Sequence, residues 1–241
     1  MLNNQRSIFR RNRYTTNGLV AQWDASAASL VTKDANGYVS SWQDKTSNAR
    51  TLVQATQANK PVWQSTGISG LGGIAFSGSS QFLTFNDQTL AFLAGTSFTI
   101  FHVATKTAQS SNSYIIGGQG VATRNNLYFG NLSANTYKFG FGNDDQSAIV
   151  TNANAGVPEC YTLVYSTADN SRRIRRNSQD VGVGASSGSL SSMTGQAVGR
   201  YITAYGQFTL GELLIYNRAL SSTEYLAVER DLISKWSVPT P

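Results

Sequence analysis

The stretch "SFTIFHVATK" (residues 97–106) decides the fold. Successive side chains of an extended strand point to opposite faces. Phe98, Ile100 and Ala104 therefore share one face, and Phe101 and Val103 share the other. A short aromatic and β-branched run that is apolar on both faces marks a strand covered on both sides, central in a stack of sheets. Working outward, "GLVAQWDAS" (18–26), "YVSSWQD" (38–44), "GIAFSGSSQFLTF" (73–85), "NLYFGNL" (126–132), "CYTLVYST" (160–167) and "QFTLGELLIYN" (207–217) repeat the pattern, with Gly, Asn, Asp and Ser dividing them. About ten to fourteen such strands without βα alternation predict a sandwich or jelly roll.

Composition agrees. The chain has 241 residues, of which 40% are hydrophobic and 13% charged, so it can bury a full core while favouring strands and polar turns over a helical bundle. The net charge of +6 is concentrated in two places: Arg6, Arg10, Arg11 and Arg13 near the N-terminus, and Arg172, Arg173, Arg175 and Arg176 in "SRRIRRNSQD" (171–180). Cys160 is the single cysteine, so no intramolecular disulfide or cysteine-based zinc site can form. "MLNNQRSIFRRNRY" has charge but no apolar core behind it, and no stretch approaches the length of a membrane span. The expectation is a protein made in a cytoplasm without export, with neither membrane nor nucleic acid as partner.

Residues 1–16 form a basic arm whose apolar contacts are Leu2, Ile8, Phe9 and Tyr14, and 17–241 form one domain. One helix is well signed near the end. Ser221 caps it, Glu224 completes an S-x-x-E capping box, and Leu220 can staple onto Tyr225. Tyr225, Val228, Leu232 and Trp236 give an apolar stripe, and Pro239 follows. The helix is expected to cover one end of the sandwich, with Trp236 as a packing anchor.

The opening through "GIAFSGSSQFLTF" and the ending "GELLIYNRALSSTEYLAVERDLISKW" (211–236) resemble the concanavalin-A-like, laminin-G-like jelly-roll family. The matching positions are Trp42, Asp44, Asn48, Phe76, Gly78, Gly211, Glu212, Tyr216, Arg218, Leu220 and Trp236, and the resemblance spans about residues 17–237. It implies an all-β antiparallel jelly-roll sandwich with a short C-terminal helix and an extended N-terminal arm. It also implies an antiparallel pair where "TLVYSTADNSRRIRRNSQDVGVG" (162–184) stands. Arg173 and Arg175 then face one way, and Arg172, Ile174 and Arg176 the other. Charge on both faces predicts a solvent-exposed or edge strand, available to an acidic partner surface.

Signals for catalysis are few. The chain lacks the E-x-D-x-E strand of sugar hydrolases on this fold, whose chemistry needs two converging carboxylates. Its glutamates are Glu159, Glu212, Glu224 and Glu229. His102 is the only histidine and lies inside the central strand, where a core role fits better than a base. "FGNDDQS" offers Asn143, Asp144 and Asp145 as hard-oxygen calcium candidates. Turn-forming Asx chemistry explains the same residues without a metal, so no cofactor is expected. Trp63, Tyr201 and Tyr205 border turns and are candidate sugar platforms, but no glycan site is assigned.

The resemblance extends to bacterial surface proteins and to structural proteins of tailed bacteriophages. Without a visible export signal or stalk, the expectation is a non-enzymatic virion protein. It would be a capsid decoration or cement protein that binds the major capsid protein or another virion subunit as a homo-oligomer, drawn as a trimer. Arg6, Arg10, Arg11 and Arg13 would pair with acidic patches while Ile8, Phe9 and Tyr14 fill apolar grooves. The alternative is a glycan-binding adhesin or receptor-binding module with a surface glycan as partner, and a glycoside hydrolase-like enzyme is third.

Overall fold

The computed structural model describes residues 15–86, 90–106, 111–120, 122–151, 154–191, 193 and 195–240. Two antiparallel sheets face each other. The first runs in the order β15 (Gln179–Ala185), β14 (Ser171–Arg176), β13 (Pro158–Ser166), β8 (Phe98–Lys106), β19 (Gln207–Tyr216), β6 (Leu71–Ser77) and β5 (Val62–Ile68). Its eighth strand, β1 (Leu19–Asp24), pairs with the far half of β19. The second sheet has nine strands: β12 (Asp145–Ile149), β11 (Thr136–Gly140), β10 (Tyr128–Ser133), β9 (Ser113–Gly117), β16 (Ala197–Val198), β7 (Leu83–Phe85), β4 (Thr51–Val53), β3 (Val39–Gln43) and β2 (Val31–Lys33). A small ribbon of β17 (Arg200–Tyr201) and β18 (Ala204–Tyr205) stands apart from both sheets and packs on β9. This is a jelly-roll sandwich with one helix, α1 (Ser222–Trp236), at its C-terminal end.

The deciding strand is β8, between β13 and β19, and every one of its nine residues is buried. Phe98, Ile100 and Ala104 enter the core between the sheets, with Trp23, Trp42, Phe129, Tyr137 and Phe139. Phe101 and Val103 enter a second cluster with Cys160, Leu214, Tyr216, Tyr225, Val228, Leu232 and Trp236. Both faces are covered, but the second cover is α1 and not a third sheet. The helix packs on β13 and β8, across the outer face of the eight-stranded sheet, rather than over one end of the sandwich. The reason is the apolar outer face of that sheet, where each large side chain gains about 1.5–3 kcal/mol by leaving water.

The helix is fixed at both ends. The backbone N–H of Ser221 donates to the Glu224 carboxylate at 3.0 Å, closing the capping box, and Leu220 and Tyr225 meet in the outer cluster. Arg218 holds the same carboxylate through two N–H donors, at 2.9 and 2.6 Å. At the other end Trp236 lies against Gly211, where a side-chain carbon would come within 2.9 Å of the indole. The register of β19 against β8 slips at this glycine, so a bulge opens where the ring enters. Next to it Glu212, 1% exposed, accepts from Gln22 Nε2 (2.7 Å), Trp236 Nε1 (2.8 Å) and Lys235 Nζ (2.7 Å). Lys235 also reaches Asp24 on β1 at 2.8 Å.

The turn after β3 has an equally local explanation. Asp44 accepts from the backbone N–H of Thr46 at 2.5 Å and from that of Arg50, while Asn48 Nδ2 donates to the Val20 carbonyl at 2.8 Å. Trp42 lies fully buried beneath them.

Glu212→Ala leaves the Trp236 indole N–H without its acceptor beside a buried gap, while Lys235 keeps Asp24. The substitution is expected to destabilise the domain by about 3 kcal/mol, read as a lower urea midpoint with secondary structure retained at low urea. An unchanged midpoint would show that the helix is held by apolar contact alone.

Candidate functional site

The outer face of the eight-stranded sheet is closed by the helix, but the outer face of the nine-stranded sheet carries the ribbon and an aromatic cluster. Along β9 and β10 the side chains divide between the core and the outer face, with a bulge where the register of the pair shifts. Ile115 and Phe129 enter the core, and Tyr114 and Tyr128 stay outside that cluster. Tyr201 of β17 stacks on Tyr128, with ring centroids 4.3 Å apart and planes 24° apart, and contacts Tyr114 at 4.8 Å. Tyr114 and Tyr128 meet edge to face at 5.5 Å. Two glycines make room for this: a side-chain carbon on Gly117 would lie 2.5 Å from Tyr201 Cβ, and one on Gly140 would lie 2.5 Å from the Tyr128 ring. Tyr114 and Tyr128 are nearly fully buried, so Tyr201, partly exposed, is the ring they hold out to solvent.

Polar groups surround this ring. The Tyr128 hydroxyl lies near the Asp145 carboxylate and the Tyr201 hydroxyl. Lys138 pairs with Asp145 at 3.1 Å, and both side chains are roughly one-fifth to one-quarter exposed, at 22% and 24%. Burial, reinforced by Tyr201 and the Asp145 charge, pushes the Tyr114 phenol up to about 12. Burial and the same carboxylate raise Tyr128 further. These hydroxyls stay protonated at neutral pH and act as hydrogen-bond donors. The turn that presents Tyr201 is strained. Ile202 has φ of +53°, a left-handed conformation that β-branched residues avoid. Its N–H donates to the Gly118 carbonyl at 3.1 Å, and Gln119 Nε2 donates to its carbonyl at 3.2 Å.

Other candidates fall differently. The arm residues Arg6, Ile8, Phe9, Arg10, Arg11, Arg13 and Tyr14 lie outside the described residues. The arginine run is neither an edge nor an exposed strand: β14 sits between β13 and β15, and Arg172 and Arg175 are 1% and 5% exposed. Each of its four arginines meets an acid of the same chain. Arg172 donates to the Asp144 carboxylate at 2.6 Å and to its carbonyl at 2.5 Å. Arg175 pairs with Glu229 of the helix (2.8 Å) and with Asp180 (2.6 Å). Arg173 pairs with Asp180, and Arg176 with Glu159 at 2.6 Å. Asp144 and Glu229 come from distant segments and bring Arg172 and Arg175 inside, while Arg173 pairs with Asp180 of the same hairpin and stays partly exposed.

That arrangement also changes the reading of the "FGNDDQS" loop. Besides Arg172, Asp144 accepts from Ser186 Oγ (2.8 Å), Ser187 N (2.9 Å) and Ser187 Oγ (2.8 Å). Its neighbour Asp145 serves the tyrosine cluster, and Asn143 adopts a left-handed turn with φ of +51°. Among the described residues no three His, Cys, Asp or Glu side chains group as a metal site would need. Trp63 is a packed ring: its indole N–H donates to the Ala25 carbonyl at 2.9 Å, and Lys33 Nζ lies 4.2 Å above it.

His102 is a core residue. It stacks with Tyr161 and Phe129 at 5.2 and 5.6 Å, and its Nε2 lies 2.6 Å from the Tyr137 hydroxyl. Burial drives its pKa down to about 3, so the ring is neutral at pH 7. Beside it is a cavity of about 10 Å³, bordered by Asn131, Glu159 and Tyr161, with room for one water. Nothing larger fits, and each glutamate of the chain is already engaged: Glu159 by Arg176, Glu212 by Lys235, Glu224 by Arg218 and Glu229 by Arg175. Paired free carboxylates of the kind sugar hydrolysis needs are not assembled from them.

No protein-family model matches the chain, and no curated protein does either. Solved structures do. The sialidase of Trypanosoma rangeli in complex with the inhibitor DANA superposes with a TM-score of 0.63 at 16% identity, covering 91% of this chain and 34% of that one. The chain thus spans about a third of that protein. Domain 4 of AbnA, a GH43 extracellular arabinanase from Geobacillus stearothermophilus solved with arabinotriose, gives 0.59 at 11% identity, with 86% of this chain and 95% of the domain covered. The binding domain of botulinum neurotoxin serotype D gives 0.62 at 11% identity, over 92% and 54%. At these identities the likeness establishes the fold, a jelly-roll sandwich. None of these neighbours is a virion protein, so the capsid-decoration expectation has no support from them.

Two outcomes follow. A neutral buried histidine binds its proton in the unfolded chain first. The stability it confers is complete above about pH 6.5 and is lost as pH falls from there towards 3. His102→Phe should flatten the urea midpoint across that window, and an unaltered slope would place the acid sensitivity elsewhere. Ile202→Asn should raise stability by about 1 kcal/mol by relieving the left-handed turn, and thermal melting reads it directly.

Proposed function

We propose that this chain is a non-catalytic glycan-binding domain and that its sugar platform is Tyr201 on the outer face of the nine-stranded sheet. The observation that carries the reading is the support under that ring. Tyr128 and Tyr114 hold it flat beside Asp145 and Lys138, so an aromatic plane lies next to a fixed donor and a fixed acceptor. A sugar presents an apolar C–H face and a rim of hydroxyls. A flat ring takes the first and charged or phenolic groups the second, which is the usual composition of such sites. Holding the ring in place before binding removes part of the ordering cost that weakens small-ligand recognition.

The solved neighbour with arabinotriose supports the same reading, as do the two neighbours described as a sialidase and a toxin binding domain. Catalysis is left out of the proposal because the histidine is sealed in the core and the glutamates are held by cations.

The test is binding of the full chain to a printed array of neutral and acidic plant, bacterial and animal oligosaccharides, followed by calorimetric titration of the strongest hit. Tyr201→Ala should weaken that hit at least tenfold without lowering the melting temperature by more than a few degrees. Saturable binding that survives the substitution moves the site elsewhere, and an array without hits overturns the reading.

A further inference from the structure

We propose a second subsite on the opposite side of the same ribbon, centred on Arg200, which binds the carboxylate of an acidic sugar. It rests on the glycan-binding reading above and specifies the class of glycan.

Arg200 and Tyr201 are consecutive in β17, so their side chains leave the ribbon on opposite faces. Tyr201 goes to the tyrosine cluster. Arg200 goes to the other side, where its guanidinium lies 3.9 Å above the Phe82 ring. Tyr205 stands directly across the ribbon from Arg200, and its ring centroid is 6.3 Å from that of Phe82. All three side chains are partly exposed. They form a cation seated on one aromatic ring and flanked by another.

What this cation lacks is an anion. The four arginines of the 171–180 run each have a carboxylate of this chain at hand, and Arg218 has Glu224. Among the described residues no carboxylate pairs with Arg200, and its buried Nε–H makes no hydrogen bond. Burial pushes its pKa down, opposed among the described residues by Tyr205. Partial desolvation of a cation costs free energy that stacking on a phenyl ring returns only in part. A carboxylate from outside would supply the rest, because the planar guanidinium matches it bidentately.

The surroundings select a sugar acid over a bare anion. Phe82 and Tyr205 offer apolar ring faces beside the charge, suited to the C–H face of the pyranose that bears the carboxylate. The chain's net charge of +6 favours approach of acidic ligands from a distance.

The experiment uses the same array with uronate- and sialate-containing oligosaccharides beside their neutral counterparts, and titrates the best acidic hit against its methyl ester. Esterification keeps the ring and removes the charge. The expected result is a preference for carboxylate-bearing glycans, at least tenfold weaker binding of the ester, and weakening with added salt. Arg200→Met, which keeps an apolar stem over Phe82, should bind acid and ester alike, and Arg200→Lys should recover part of the difference. If neutral and acidic glycans bind equally and Arg200→Met changes nothing, this subsite is wrong while the Tyr201 platform stands. If no glycan binds at all, both fall together.

Discussion

Glu212 is the contact on which the rest of the domain depends. A carboxylate with 1% exposure must be paired and fully hydrogen-bonded, or it would prefer to unfold into water. Here its partners come from two elements, Gln22 from β1 and Lys235 and Trp236 from the last turn of α1, both converging on β19. One side chain thus joins the first strand of the described domain to its last strand and its C-terminal helix. It works only because Gly211 beside it has no side chain and lets the Trp236 ring close over the bulge. The helix is thereby held against the eight-stranded sheet, which allows β8 to be apolar on both faces.

The buried arginines follow the same rule on the other side of the molecule. Arg172 crosses from β14 to Asp144, joining the two sheets near their adjacent edges, and Arg175 reaches from the outer face of β14 to Glu229 on the helix. Aromatic rings also take part, Phe141 near Arg172 and Tyr225 near Arg175, at 4.9 and 4.8 Å. Such pairs add less net stability than their short distances suggest, because both ions gave up water to form them. Their effect is to define which loops and which helix face belong together.

A division of labour between the sheets follows. The helix closes one outer face, and the other carries the ribbon, from which Tyr201 and Arg200 point to its two sides. The strain at Ile202 is located at that ribbon and not in the core. It belongs with a local structure built to present side chains rather than to bury them. The sandwich is the rigid support, and the turn is the part that varies from simple strand geometry.

The sequence alone determined what depends on short-range chemistry. Period-two alternation identified β8 as covered on both faces, the S-x-x-E spacing placed the helix start at Ser221, and Asx residues marked the turns, because each of these signals lies within a few residues of its effect. The alternation of the arginine run was legible too. Whether its charges faced water or carboxylates was not, since Asp144 and Glu229 are 28 and 54 residues away and only the folded sheets bring them close. Likewise nothing in "SYIIGG" or "NLYFGNL" shows that Tyr114 and Tyr128 will lie under Tyr201 from a ribbon more than seventy residues later. The glycines beside them were the available clue, but a glycine's missing side chain becomes a space only when the tertiary structure sets a ring against it. Local order was written in local spacing; the site was decided by strand crossings, which join residues that share no local signal.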